Sequence, residues 1–465
     1  MLCATQIGRN SKLINPMATA VTNRIDWTLI WAQRGFRYFF TAMFISLFGG
    51  GMNFAGVSWF IMTATHSTVK VSLQVIVVTL PGLFIPFIGG VLIDRVDRRY
   101  LGVGLDLARG VTVLATAYIA WHGHLALWHL YAMTLVTGIA SAMYWATVNA
   151  LVQEVIPASQ FTAANAAVLI GVQSGLLLAG AFVGFTYDRA GIAGILAIDG
   201  LTYFVSAYCL YKVRHGYVSP REHQKYREYS EATELTAEAL STGENPEVAE
   251  AGISLAMYAD LREGFHYLKQ QPLVRALGIT HSILMAGVVS ANVVLVALTS
   301  DVLHAGARGL GYLESGWAAG AIIGGLIATQ LREELRLGLY VAAFAGLALG
   351  HMAAPFIAFL LAASVLQGLF GFCRALGGVV AQSALMSIVP RHFMGRTQSA
   401  MAIVTTAVQL AMCVALGWIA EKAGIIAGYT LLALLYAGAT LTAFHARQLL
   451  RVAAESREIS RQELH

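Results

Sequence analysis

Among the ionisable residues that interrupt long apolar runs in this chain are Asp106, Arg109, Asp199, Glu314 and Arg374. A charge inside an apolar segment is costly, and by default it marks a function. A carboxyl group such as Glu314, in "GYLESGW", can carry a proton, or it can simply sit wetted near a surface. An arginine such as Arg374, in "LFGFCRALGG", can hold an anionic group or satisfy backbone carbonyls. Asp106 and Arg109 stand about one helical turn apart, a spacing that suits an ion pair. Four amides also fall within apolar runs: Asn53, Gln173, Asn292 and Gln409. They can hydrogen-bond a bound molecule or tie helices together. Tyr144, Trp145 and Trp59 can stack on an aromatic molecule or pack in a core. The stretch "GGVLIDRVDRR", Gly89 to Arg99, is different again: Asp94 to Arg99 holds five charges in six positions.

Other chemistries find no support. No nucleophile stands beside a base, so the chain does not read as an enzyme. No P-loop is present, which argues against ATP as the energy source, and no cofactor is implied. Cys3, Cys209, Cys373 and Cys413 are scattered, which suits neither disulfides nor a metal site. His122, His124 and His129, in "WHGHLALWH", read as an interfacial belt rather than metal ligands.

The elements that must position these residues follow from composition. The 465 residues are 57% hydrophobic and 12% charged, against about 25% charged in a soluble domain. Twelve long apolar segments are legible, at roughly 36–64, 71–93, 99–121, 125–153, 160–187, 191–212, 273–300, 308–330, 335–353, 356–388, 395–420 and 424–446. Segments this continuous cross a bilayer as helices. The expectation is an all-α membrane protein with twelve transmembrane helices in two six-helix, pseudo-symmetric bundles. The bundles cover 36–212 and 273–446. Residues 1–35 form a polar N-terminal tail, 213–272 a solvated linker and 447–465 a C-terminal tail. The tail lacks the pattern of a cleavable signal peptide, and Met17 offers a second start. Within "LREGFHYLKQQP", Leu261, Phe265 and Leu268 can share one face. That face can lie on the membrane, or the stretch is a plain lead-in to the next helix.

Short loops place more Lys and Arg on the side of the termini, which predicts both termini and the linker in the cytoplasm. The net charge of +5 fits basic inner loops and implies no nucleic acid. The halves also echo each other. Pro157 and Pro390, Gly184 and Gly417, and Gly191 and Gly424 are each 233 residues apart. Repeated matches at one interval argue for duplication. Parallel six-plus-six repeats place a substrate site between the halves, near the midplane.

With these features the chain resembles the major facilitator superfamily. Gly90, Asp94, Arg95, Arg98 and Arg99 fill the places of that family's motif between helices 2 and 3, and Asp97 stands where many members carry Gly. The stretches "RRYLGVGLDLARG", "NALVQEVIPASQFTAANAA" and "GILAIDGLTYFVSA" resemble the branch of the enterobactin exporter and macrolide-efflux proteins. The resemblance implies an inner gate in which Asp94 faces the start of helix 11 and Arg98 or Arg99 bonds Asp94 and Glu154. Read without it, the cluster is an inner loop obeying the positive-inside bias. The resemblance also implies that helices 3 and 6 are peripheral, so that Asp106, Arg109 and Asp199 are structural. It implies that helices 1, 5, 7 and 11 line the cavity with Asn53, Gln173, Asn292 and Gln409. Glu314 becomes the candidate proton carrier, and Arg374 and Tyr144 become candidate cargo contacts. Helix 5 carries Gly171, Gly175, Gly180 and Gly184 but no proline after Gly175, so its glycines read as packing positions.

The function expected is proton-coupled efflux of a small amphipathic molecule, such as a drug, macrolide or siderophore. The protein would act as a monomer in the inner membrane, surrounded by lipid. Two alternatives stand beside it: a lysophospholipid flippase, and a membrane receptor or scaffold that does not transport.

Overall fold

The computed structural model describes residues 31–85, 97–156, 161–213, 262–330 and 333–462. The elements assigned among the described residues are all helical. They run α1 Arg34–Thr65, α2 Thr68–Ile85, α3 Arg98–Trp121 and α4 Leu127–Val155. The run Phe161–Lys212 is broken at Gly191, where φ is 61°, giving α5 (161–190) and α6 (192–212). The second half holds α7 Pro272–Ala297, α8 Gly306–Gln330, α9 Glu333–Ala353, α10 Leu360–Ile388, α11 Arg391–Ala423 and α12 Ile425–Gln462. Each of the twelve apolar segments is thus helical over most of its described residues. Between α5 and α6 one left-handed glycine does what a loop was expected to do. At the other extreme, α12 continues past 446 through Gln462, because "RQLLRVAAESREISRQ" is made mostly of good helix formers.

Two ends of the bundle can be told apart. Arg98, Arg99, Arg391 and Arg396 start α3 and α11 at one end, here the basic end. The starts of α2 and α8 lie at the other, the far end. Asp97 caps α3 by accepting hydrogen bonds from the Arg99 and Tyr100 amides, at 2.9 and 3.4 Å. Its place in the motif thus has a local cause, since an aspartate before a helix satisfies orphan amides. The linker's end, residues 262–270, is helical and docks on the start of α11. Tyr267 stacks on Phe393 at 4.9 Å, and Glu263 pairs with Arg396 at 2.5 Å. Leu261 lies outside the described residues.

Glycines set how closely the helices approach. A side chain at Gly316, Gly320 or Gly324 of α8 would meet the carbonyls of Ser364, Gly368 or Phe372 on α10. These positions recur every four residues, so one face of α8 lies directly on α10. In the first half, Gly171 and Gly175 of α5 lie against Phe40 and the Phe44 carbonyl of α1. Gly180 and Gly184, farther along the same helix, lie instead against Glu314, Gly311 and Arg308 of α8. One helix thus serves its own half at one end and joins the two halves at the other. Large apolar side chains such as Leu349, Phe359, Leu361 and Trp418 stay exposed on the outside. Such a surface suits lipid as the solvent.

The halves are latched at the far end. Glu421 of α11 accepts hydrogen bonds from the Ser67 hydroxyl at 2.5 Å and the Val69 amide at 3.0 Å. Thr68 donates to the Gly417 carbonyl at 2.8 Å, and Arg308 pairs with Asp188 at 3.1 Å. Nearer the middle, Ser315 donates to the Leu177 carbonyl at 3.2 Å, and Gln409 donates to Thr79 at 2.6 Å.

Candidate functional site

A cavity of about 450 Å3 lies between the halves. That is within the usual range for a small-molecule site. Its wall is largely apolar and aromatic. Its charged and amide groups are few, Arg109, Asn292, Glu314, Gln367 and Arg374, and they are joined by His351, Ser46, Ser141 and the hydroxyls of four tyrosines, Tyr144 among them.

The first half brings its charges together. Gly110 and Gly200 let α3 and α6 approach each other closely. Asp106 is thereby paired with Arg109 and accepts a hydrogen bond from Ser206 at 2.6 Å. The Arg109 guanidinium lies between the rings of Tyr144 and Tyr203, at 4.3 and 4.5 Å. Aromatic faces favour a desolvated cation. A side chain at Gly49 of α1 would strike Asp199 and Thr202 of α6, and this close approach lets Asn53 donate to Asp199 at 2.8 Å. Asp106 and Asp199 are both fully buried, and neither lines the cavity. Arg109 does line it, although helix 3 was expected at the periphery. The cause is the long reach of the guanidinium from the α3–α6 seam.

The second half leaves its charges apart. Glu314 accepts a hydrogen bond from Asn292 at 3.2 Å. Among the described residues no cation pairs with it. Arg374 directs one Nη at the Met285 sulfur, 3.6 Å away, and lies over the Trp317 ring at 5.6 Å. Its Nε is buried without a partner, and no described carboxylate pairs with it. Glu314 and Arg374 thus line one cavity without joining.

The remaining sequence candidates fall elsewhere. Asn53, Gln173 and Gln409 are buried but do not line the cavity; Asn53 and Gln409 bond Asp199 and Thr79 instead. Gly90, Asp94 and Arg95 lie outside the described residues. Glu154 is on the last turn of α4, and its side chain also lies outside them. Arg98 opens α3. Arg99 donates to the Val213 carbonyl, after α6, at 3.1 Å.

Several lining residues escaped sequence reasoning. His351 of α9 is buried, stacks on Phe370 at 4.1 Å and donates from Nδ1 to the Leu347 carbonyl at 2.7 Å. Its presence in an apolar run was the available signal. Tyr429 and Tyr436, two turns apart on α12, share the wall with Trp317. Nothing in the sequence separates them from ordinary interfacial aromatics.

Comparison with known proteins agrees with this architecture. The Major Facilitator Superfamily model matches residues 39–416. The chain is 23% identical over 411 residues to the uncharacterized MFS-type transporter YfiS of Bacillus subtilis, covering 84% of this chain and 88% of YfiS. It is 24% identical over 389 residues to the enterobactin exporter EntS of Salmonella typhi, covering 80% and 84%. Among solved structures, the nucleoside transporter NupG aligns with a TM-score of 0.62 at 11% identity, over 89% of this chain and 98% of NupG. A POT family transporter in complex with 5-aminolevulinic acid aligns with a TM-score of 0.61 at 14% identity, over 88% and 95%.

Proposed function

The chain belongs to the Major Facilitator Superfamily, and from that premise we propose that it exports a small amphipathic molecule in exchange for protons. It is a multi-pass membrane transporter of small-molecule cargo and not an enzyme. The proton coupling, the cargo class and the direction make up the proposal.

One observation carries the coupling: Glu314 stands on the cavity wall at the seam between the halves. Its Cβ abuts Gly180 of α5, and the next residue, Ser315, bonds across the same seam. A group that trades a proton for cargo must reach the cargo, lack a fixed counter-charge and touch the part that moves. Glu314 meets all three conditions. Asp106 has its arginine, and Asp199 is sealed away from the cavity. Asn292, Arg374 and Tyr144 serve as cargo contacts in this reading, while Asn53 and Gln409 tie helices.

Alternating access needs a latch at each end. The far-end latch is built from Glu421, Arg308 and their partners. Gly90, Asp94, Arg95, Arg98, Arg99 and Glu154 form the basic-end gate. The basic end faces the cytoplasm of the inner membrane, with both termini. The enterobactin exporter among the relatives supports the outward direction.

Inside-out vesicles energised with a proton gradient test the proposal. Adding a transported drug, macrolide or siderophore should collapse the gradient, and Glu314→Gln vesicles should show no collapse. If labelled lysophospholipid crosses with no collapse, the exporter gives way to a flippase. If no compound produces any response, the receptor or scaffold reading replaces it.

A further inference from the structure

We propose that the cavity accepts an organic monoanion with an aromatic body, and that Arg374 binds its acidic group. This rests on the transporter reading and names its substrate class.

The argument starts from an imbalance of charge. Two arginines face the cavity. Arg109 is neutralised by Asp106 and enclosed by two tyrosine rings. Arg374 has a thioether, an indole face and the Tyr436 and His281 side chains for company, none of them a carboxylate, and its Nε points at no acceptor. A half-buried guanidinium whose Nε is buried without an acceptor is costly unless something pairs with it. Glu314 faces the same cavity but does not reach Arg374, and its hydrogen bond comes from Asn292 instead. An anion carried by the cargo therefore supplies what the fold withholds. A guanidinium presents a planar fork that matches a carboxylate or sulfonate with two parallel hydrogen bonds.

The wall around Arg374 defines the rest of the molecule. Trp317 lies under the guanidinium, and Phe370, stacked with His351, lines the same wall. The α8–α10 glycine seam fixes this arrangement, since Gly371 lies directly against the Trp317 carbonyl. Arg374 and Trp317 are thus presented by two helices locked in register. Flat apolar surface beside a fixed cation selects an arene bearing one acid. The volume of about 450 Å3 admits a drug-sized body.

Purified protein in detergent tests this with three probes of one shape: 1-naphthoate, neutral 1-naphthamide and cationic 1-naphthylmethylammonium. Binding is read from tryptophan fluorescence and from the shift in melting temperature. Naphthoate should bind at least about tenfold more tightly than either other probe, as one charge-assisted pair would give. Arg374→Gln should erase that preference, and Arg374→Lys should retain part of it. The proposal is overturned if the ammonium probe binds as well as naphthoate, if Arg374→Gln keeps the preference, or if none of the three binds. The wild-type comparison stands even where a variant folds poorly. Naphthoate preference without flux in vesicles would remove the transporter reading and keep the site. Flux without the preference would do the reverse.

Discussion

Asn53 on α1 and Asn292 on α7 occupy similar places in the two halves, and each donates a hydrogen bond to a carboxyl group. Asp199, the partner of Asn53, lies on α6 and is sealed from the cavity. Glu314, the partner of Asn292, lies on α8 and faces it. The arginines repeat the contrast: Arg109 is paired within its half, and no described carboxylate pairs with Arg374. A duplicated frame has therefore put the same side-chain chemistry to two uses. In the first half, buried charge is closed into a network that holds α1, α3 and α6 together. In the second, charge is left facing the space where cargo would sit. What differs is the helix that carries the charge, because that decides whether a carboxyl group meets a neighbouring helix or the cavity.

The largest expected effect tests whether the first-half network is an anchor. Arg109→Leu strands Asp106 in the interior, and breaking a buried pair costs about 3–5 kcal/mol. Its melting temperature in detergent should fall sharply, and Asp106→Leu/Arg109→Leu should recover part of the loss. Arg374→Leu removes a half-buried cation that pairs with no described carboxylate, so its melting temperature should hold or rise. Equal losses from the two arginines would erase the contrast between the halves.

Glycine substitutions sharpen it next. Gly320→Ala places a methyl group against the Gly368 carbonyl within the second half. Overpacking of this kind costs about 1–3 kcal/mol, readable as a lower melting temperature. Gly180→Ala presses on Glu314 across the junction instead. The halves can part there, so this variant should alter transport rate more than melting temperature. The smallest effect belongs to the amides. Asn53→Ala removes an interhelical hydrogen bond of about 0.6 kcal/mol and should leave cargo affinity unchanged. Asn292→Ala frees Glu314 and should change the pH dependence of transport. If the two variants behave alike, the repeat has kept one role for both amides.

The membrane class, the twelve helices and the duplication were legible in the sequence, because each depends on local quantities. An apolar run longer than a bilayer is thick must cross it as a helix, and a repeated interval survives in residue numbers alone. The candidates for buried chemistry were legible too, since any ionisable residue in such a run stands out. The direction each side chain faces was not legible. Rotation about a helix axis depends on neighbours that are distant in sequence, such as Gly49 beside Asp199 or Gly371 beside Trp317. Only the tertiary structure decided that Asp199 is sealed, that Arg109 reaches the cavity from the α3–α6 seam, and that His351, Tyr429 and Tyr436 complete the wall. It also divided the glycines of α5 between two partners, a choice made by how the halves meet and written in no local pattern.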